Sequence, residues 1–203
     1  MKKSRYISFI TSICLLLLLG CSRNEQPISK SGMYFDTIIT ITVYHSEDEP
    51  LLDKCFSMAE YYENLFSKTI ETSDIYQINH SQGTPTEVHE ETCYLRATAL
   101  DSAAMTEAAI APTILPLSDL WNFGENETVP KEEDIAFSLS QVGYENVILD
   151  SFSNTVTLKK ENMGIDLGFI AKGYIADKMK EYLISEGVES ALINLGGNVL
   201  TIG

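Results

Sequence analysis

The stretch "YFDTIITITVYH", residues 34–45, alternates apolar and polar positions and is rich in β-branched side chains. A period of two in stiff residues predicts a strand. The period then changes. In "PLLDKCFSMAEYYENLFSK", Leu51, Leu52, Cys55, Met58, Ala59, Tyr62, Leu65 and Phe66 recur at helical spacing, and Pro50 suits a first turn. "TSDIYQIN" offers Ser73 as the cap of a short helical turn, and "SQGTPT" reads as a loop. An Ala-rich run from about Glu87 to Ala109 predicts a second long helix, stopped before Pro112. "PTILPLSDLWNFG" holds two prolines and the only tryptophan and reads as a packed, irregular joint. "KEEDIAFSLSQVG" predicts a helix with acids in its first turn and Gly143 at its end. "ENVILD" and "NTVTLKK" predict two strands around the polar turn "SFSN". A further helix spans about Ile170 to Ser185, and "SALINLGGNVLTIG" reads as strand, Gly-Gly bend and strand. Strands and helices do not alternate evenly, so the expected class is α+β, with a mixed or antiparallel sheet and packed helices.

Composition narrows the function classes. The chain has 203 residues, 44% hydrophobic and 21% charged, enough for one sizeable core. Fourteen basic residues face 29 acidic ones, a net charge of -15. Without a basic patch, nucleic acid is excluded as a partner, and so is an anionic lipid surface held by charge alone.

The first residues stand apart from the fold. A basic start, "MKKSRY", precedes the apolar run "ISFITSICLLLLLG", which is short for a membrane span and ends in "LLGC". Leucine, a small residue and cysteine form a bacterial lipoprotein box. Residues 1–20 are therefore expected to be a signal peptide, with Cys21 the lipid-carrying first residue of the mature chain. Residues 21–32 read as a polar tether and 33–203 as the domain. The expected location is the extracytoplasmic face of the cell membrane. Cys55 and Cys93 lie in helical patterns; a disulfide between them is open outside the cytoplasm, and a pair of buried thiols is equally open. His45, His80 and His89 are scattered, which disfavours a zinc site.

Two glycine-containing stretches could carry chemistry. In "GIDLGFIAKGY", Asp166 stands at an expected strand end and Lys172 near a helix start. Free helix N–H groups and the lysine could face a phosphate, and Gly168 and Gly173 admit a close ligand or backbone. The plain alternative is an Asp cap with a solvated lysine. In "NLGGNV", Gly196 and Gly197 could floor a ring site or simply make a tight turn. Trp121 and Phe123 could stack on a planar ring or lie in the core. Ser73 and Asn79 read as capping groups.

The order of the blocks adds more than any one of them. "FDTIITITVY", "FSKTIETSDIYQIN", "PTILPLSDLWNFG", "IDLGFIAKGYIAD" and "NLGGNVLTIG" together resemble the bacterial FAD:protein FMN transferases, the ApbE-type flavin transferases, from about Phe35 to Gly203. The resemblance implies that fold, and a reaction that splits FAD, releases AMP and places FMN on a threonine of a target flavoprotein such as a membrane redox-complex subunit. It implies Mg2+ as cofactor. It places Asp166 and Lys172 against FAD, Phe35 at an apolar position touching the flavin nucleotide, and Thr69 at a position that can be aromatic. Ala109, Ile110 and Ala111 match a short FAD-contacting segment, and the Phe169 backbone carbonyl matches a magnesium ligand. No residue is assigned as a catalytic acid, base or nucleophile.

The chain departs from the pattern at two places. The family's Gly-Ala-Phe-Asp-Pro-Thr reads "AAIAPT" here, losing a ring at Ile110 and an acid at Ala111. The family's other magnesium ligands, an Asp and a Thr, lie past residue 203, so the domain is expected to be incomplete. A chain that binds FAD without transferring FMN is therefore the other reading.

Overall fold

The computed structural model describes residues 26–121 and 129–203. Cys21 and Phe123 lie outside the described residues. In chain order the elements are β1 (Ile28–Tyr34), β2 (Thr37–Val43), a 3-10 turn (Ser46–Asp48), α1 (Leu51–Phe66), α2 (Asp74–Asn79), β3 (Thr86–Glu87), α3 (Glu90–Met105), α4 (Leu115–Trp121) and α5 (Glu132–Gln141). A second 3-10 turn (Tyr144–Asn146), β4 (Val147–Asp150), β5 (Thr155–Leu158), α6 (Gly168–Ser185), β6 (Ala191–Leu195) and β7 (Asn198–Ile202) follow. The strands form two antiparallel sheets, ordered β1-β2-β6-β7 and β3-β5-β4. The class is α+β.

The larger sheet follows from its alternation. Ile39, Ile41 and Val43 of β2 point inward and are fully buried, while Ile38 on the other face is exposed. In register, Ile41 pairs with Ile193 and Ile39 with Leu195 of β6, both also buried. Helices α1 and α6 cover this face with Leu52, Cys55 and Ala59 and with Ile175, Met179 and Leu183. Each fully buried aliphatic side chain contributes about 1.5–3 kcal/mol by leaving water. Cys55 and Cys93 are both free and buried, so the disulfide is not made. Burial pushes the Cys55 thiol up to about 12 and the Cys93 thiol up as well, which makes both inert at neutral pH.

Three expectations change. Residues 28–34, mostly assigned to the tether, are strand β1, paired along its whole length with β2. Its polar residues escaped notice because β1 lies at the sheet edge, where side chains meet water. The strand expected from Tyr34 is a hairpin: Phe35 and Asp36, both at φ 54°, turn the chain before Thr37. The joint after Pro112 contains a helix, α4, with Pro116 in its first turn, where proline is tolerated.

The second hairpin turns at Gly196 (φ 62°) and Gly197 (φ 93°), as the tight-turn reading expected. Gly197 N–H donates to Asn194 Oδ1 at 2.9 Å. A Cβ on Gly196 would lie 2.5 Å from Thr37 Cγ2, whereas one on Gly197 would meet nothing within 4 Å. Gly196→Ala is expected to cost about 2–4 kcal/mol, from positive-φ strain and overpacking together. Gly197→Ala carries only the strain, about 1–2 kcal/mol. Urea denaturation of the two variants checks this; equal losses would contradict it.

Candidate functional site

The loop after α1 and the start of α6 enclose a cleft of about 400 Å³. It is lined by Phe35, Asp36, Glu63, Phe66, Ser67, Lys68, Thr69, Ile70, Asp166, Gly168, Ala171 and Lys172. Four expected site residues, Phe35, Thr69, Asp166 and Lys172, meet there from three separate stretches of chain.

Each is set by local structure. Phe35 sits in the β1–β2 turn, in the left-handed region that a bulky residue rarely adopts. Its N–H donates to Glu63 Oε1 of α1 at 2.6 Å, which holds the turn over the cleft. Strain of this kind collects at ligand sites, where surrounding contacts impose it. Thr69 follows α1 in a serine-built turn. Ser67 Oγ accepts from the N–H groups of Thr69 and Ile70, each at 3.1 Å, and Ser73 Oγ donates to the Ser67 carbonyl. Ser73 also caps α2 by accepting from Tyr76 N–H.

Asp166 does not end a strand. Residues 163–167 are irregular, and their polar backbone needs partners from elsewhere. Asn79, at the end of α2, provides them. Its Nδ2 donates to the Ile165 carbonyl at 2.9 Å and its Oδ1 accepts from Ile165 N–H at 2.7 Å, across 86 residues of sequence. Asp166 N–H donates to the Pro112 carbonyl at 2.9 Å. Asp166 Oδ1 accepts from Gly168 N–H at 2.8 Å, so the carboxylate engages the first N–H of α6. Its Oδ2 lies 3.4 Å from Lys68 Nζ. Lys68 Nζ also donates to Asp119 Oδ1 of α4 at 3.0 Å. Burial alone would lower the Lys68 ammonium's proton affinity; the hydrogen bond to Asp119 and the charges of Asp166 and Asp119 outweigh it and raise it.

Lys172, one turn into α6, is half-buried and lines the cleft. The helix start offers fewer donors than the sequence suggested. Gly168 N–H is engaged by Asp166, and the Ile170 and Ala171 N–H groups donate to the Leu167 carbonyl. What the helix end gives the cleft is mainly its positive dipole.

Other expected residues lie elsewhere. Ala109, Ile110 and Ala111 are absent from the lining; their segment reaches the site through Pro112, whose carbonyl orients Asp166. Phe169 lines a separate hollow with Tyr94, Thr98 and Tyr174. Its backbone belongs to the first turn of α6. Gly196 and Gly197 make a turn outside the cleft lining, and Trp121 ends α4.

Among the described residues, no group of three or more His, Cys, Asp or Glu side chains is placed to hold a metal ion. Mg2+ demands near-octahedral oxygen coordination. The Phe169 carbonyl does not by itself meet that demand, and the Asp166 carboxylate is already engaged by Gly168 and Lys68.

Sequence reasoning missed Lys68, Glu63 and the true task of Asn79. Asn79 carried no local signal, because its partner is distant in sequence. Lys68 had one weak signal, its place beside Thr69.

Residues 35–203 match the ApbE family. The FAD:protein FMN transferase of Klebsiella pneumoniae is 37% identical over 182 residues, covering 89% of this chain and 57% of that protein. The Treponema pallidum protein of the same name is 27% identical over 205 residues, covering 94% and 57%. The chain thus spans somewhat over half the length of the curated relatives it matches. The ApbE protein of Thermotoga maritima has a similar structure, with a TM-score of 0.81 at 30% identity, covering 88% of this chain and 59% of that one. The flavin transferase ApbE of Vibrio cholerae shares the fold at a TM-score of 0.80 and 24% identity, covering 88% and 60%. The matched stretch contains all of the cleft, and the chain belongs to the ApbE family.

Proposed function

We propose that this protein is an FAD:protein FMN transferase. It cleaves the pyrophosphate of FAD, releases AMP and places FMN on a threonine hydroxyl of a target flavoprotein. The observation that carries this reading is the convergence of Phe35, Thr69, Asp166 and Lys172 on one cleft. The names of the relatives support it.

Attack on a pyrophosphate develops charge on the phosphoryl oxygens and on the departing AMP, and fixed positive charge lowers that barrier. Lys172 and the positive end of α6 supply such charge at the cleft wall. Phe35 and Phe66 supply apolar surface for a planar ring. The acids Asp36, Glu63 and Asp166 keep the cleft from being a general anion trap. Mg2+ belongs to the proposed reaction as a charge-neutralising cofactor. Among the described residues no group of three or more acidic, His or Cys side chains is placed to hold it, so no step here runs through the metal. The proposed setting is the extracytoplasmic membrane face, with a lipid on Cys21 and a membrane redox-complex subunit as the flavin acceptor.

The reading is tested by incubating the protein with FAD, Mg2+ and a candidate flavoprotein, then following AMP and a flavin-labelled threonine by mass spectrometry. Tight FAD binding without AMP would instead leave a flavin-binding lipoprotein. Lys172→Ala is expected to weaken FAD binding about 10- to 100-fold, the range for losing a charge-assisted hydrogen bond. Unchanged affinity in calorimetry would remove Lys172 from the site.

A further inference from the structure

We propose that Lys68 is a positioning residue for Asp166. The inference rests on the reading of the cleft as the FAD site. The ammonium lies 3.4 Å from Asp166 Oδ2 and 3.0 Å from Asp119 Oδ1. Asp166 Oδ1 is separately held by Gly168 N–H at 2.8 Å. One carboxylate oxygen of Asp166 therefore accepts a hydrogen bond and the other faces an ammonium, each from a different piece of chain. Gly168 alone would fix one oxygen and leave the plane of the carboxylate free to turn. The ion pair with Lys68 limits that freedom, and the hydrogen bond to Asp119 in turn fixes the lysine.

Lys68 follows α1, Asp119 is on α4, 51 residues further on, and Asp166 precedes α6. One ammonium thus ties the cleft wall to α4. It also offsets a carboxylate at a place where a pyrophosphate must approach Lys172. Partly exposed ion pairs contribute little to stability, and these side chains are 37%, 59% and 27% exposed. The effect of Lys68 belongs in ligand binding, where a small displacement of Asp166 is felt, and not in the folding free energy.

The test uses the full chain and two readouts. The first needs no ligand. In Lys68→Met the Gly168 amide resonance shifts, because its acceptor turns, while the melting temperature stays within a few degrees of the parent; Lys68→Arg restores the resonance. The second is FAD affinity by calorimetry. Lys68→Met weakens binding about tenfold, within the coupling range of contacting residues. Asp166→Asn weakens it too, and the double variant binds no worse than Asp166→Asn alone. A Gly168 resonance that does not move would overturn the proposal. So would additive losses in the double variant, which would mean that Lys68 touches the ligand itself. If the parent protein binds no FAD, the proposed function fails, and the Gly168 resonance still decides whether Lys68 holds Asp166.

Discussion

Arg96→Met is expected to raise the unfolding free energy by about 1–4 kcal/mol, the gain seen when buried charge gives way to an apolar side chain of similar size. Arg96 lies on α3 with no exposed surface. Its Nε, Nη1 and Nη2 find no hydrogen-bond partner among the described residues. Burial pulls the guanidinium down to about 10, which the nearby Cys93 only partly offsets. At neutral pH the group is still charged. Cys93 is no counter-ion there, because burial pushes its thiol up and keeps it neutral. A buried charge without a partner is among the most costly arrangements in a core. The sign with pH follows. The folded guanidinium holds its proton less tightly than the unfolded one, so the penalty is complete below about pH 10 and eases only above it. The gain from methionine should be level across neutral pH. Urea midpoints at pH 6 and pH 8 measure it, and a loss of stability would show that the guanidinium serves a partner.

Asn79→Ala is expected to cost about 2–4 kcal/mol and to weaken FAD binding as well. The amide satisfies both the N–H and the carbonyl of Ile165, a residue only 1% exposed. Its removal orphans two buried backbone groups, at about 1–3 kcal/mol each before relaxation. Asp166 is the next residue, so freedom gained at Ile165 reaches the carboxylate directly. Asn79→Asp should fail as well. It keeps an acceptor for the Ile165 N–H but sets a second oxygen against the Ile165 carbonyl. A denaturation midpoint within about 0.5 kcal/mol of the parent would reduce Asn79 to an ordinary surface residue.

Much of the fold was legible in short-range pattern. The period of 3.6 through Leu52, Cys55, Ala59 and Tyr62 located α1, and those side chains are buried. The alternation at Ile39, Ile41 and Val43 identified the inward face of β2. The glycines at 196 and 197 marked a hairpin. The failures share one cause. Phe35 is a poor turn residue by propensity, and long-range contacts such as its hydrogen bond to Glu63 hold the turn there. In β1, "ISKSGMY" is too polar to reveal a strand that depends on pairing with β2.

By itself the sequence determined the helical and alternating faces, the acidic charge, and the block order that marks the family. Those properties are local or compositional, and neighbouring residues suffice to set them. Only the tertiary structure decided that Asn79 splints Ile165, that Lys68 reaches both Asp119 and Asp166, that Arg96 is sealed in the core, and that Ala109–Ala111 stay outside the cleft lining. These are meetings of residues far apart along the chain. They arise when the helices pack on the sheets, and neither periodicity nor spacing encodes them.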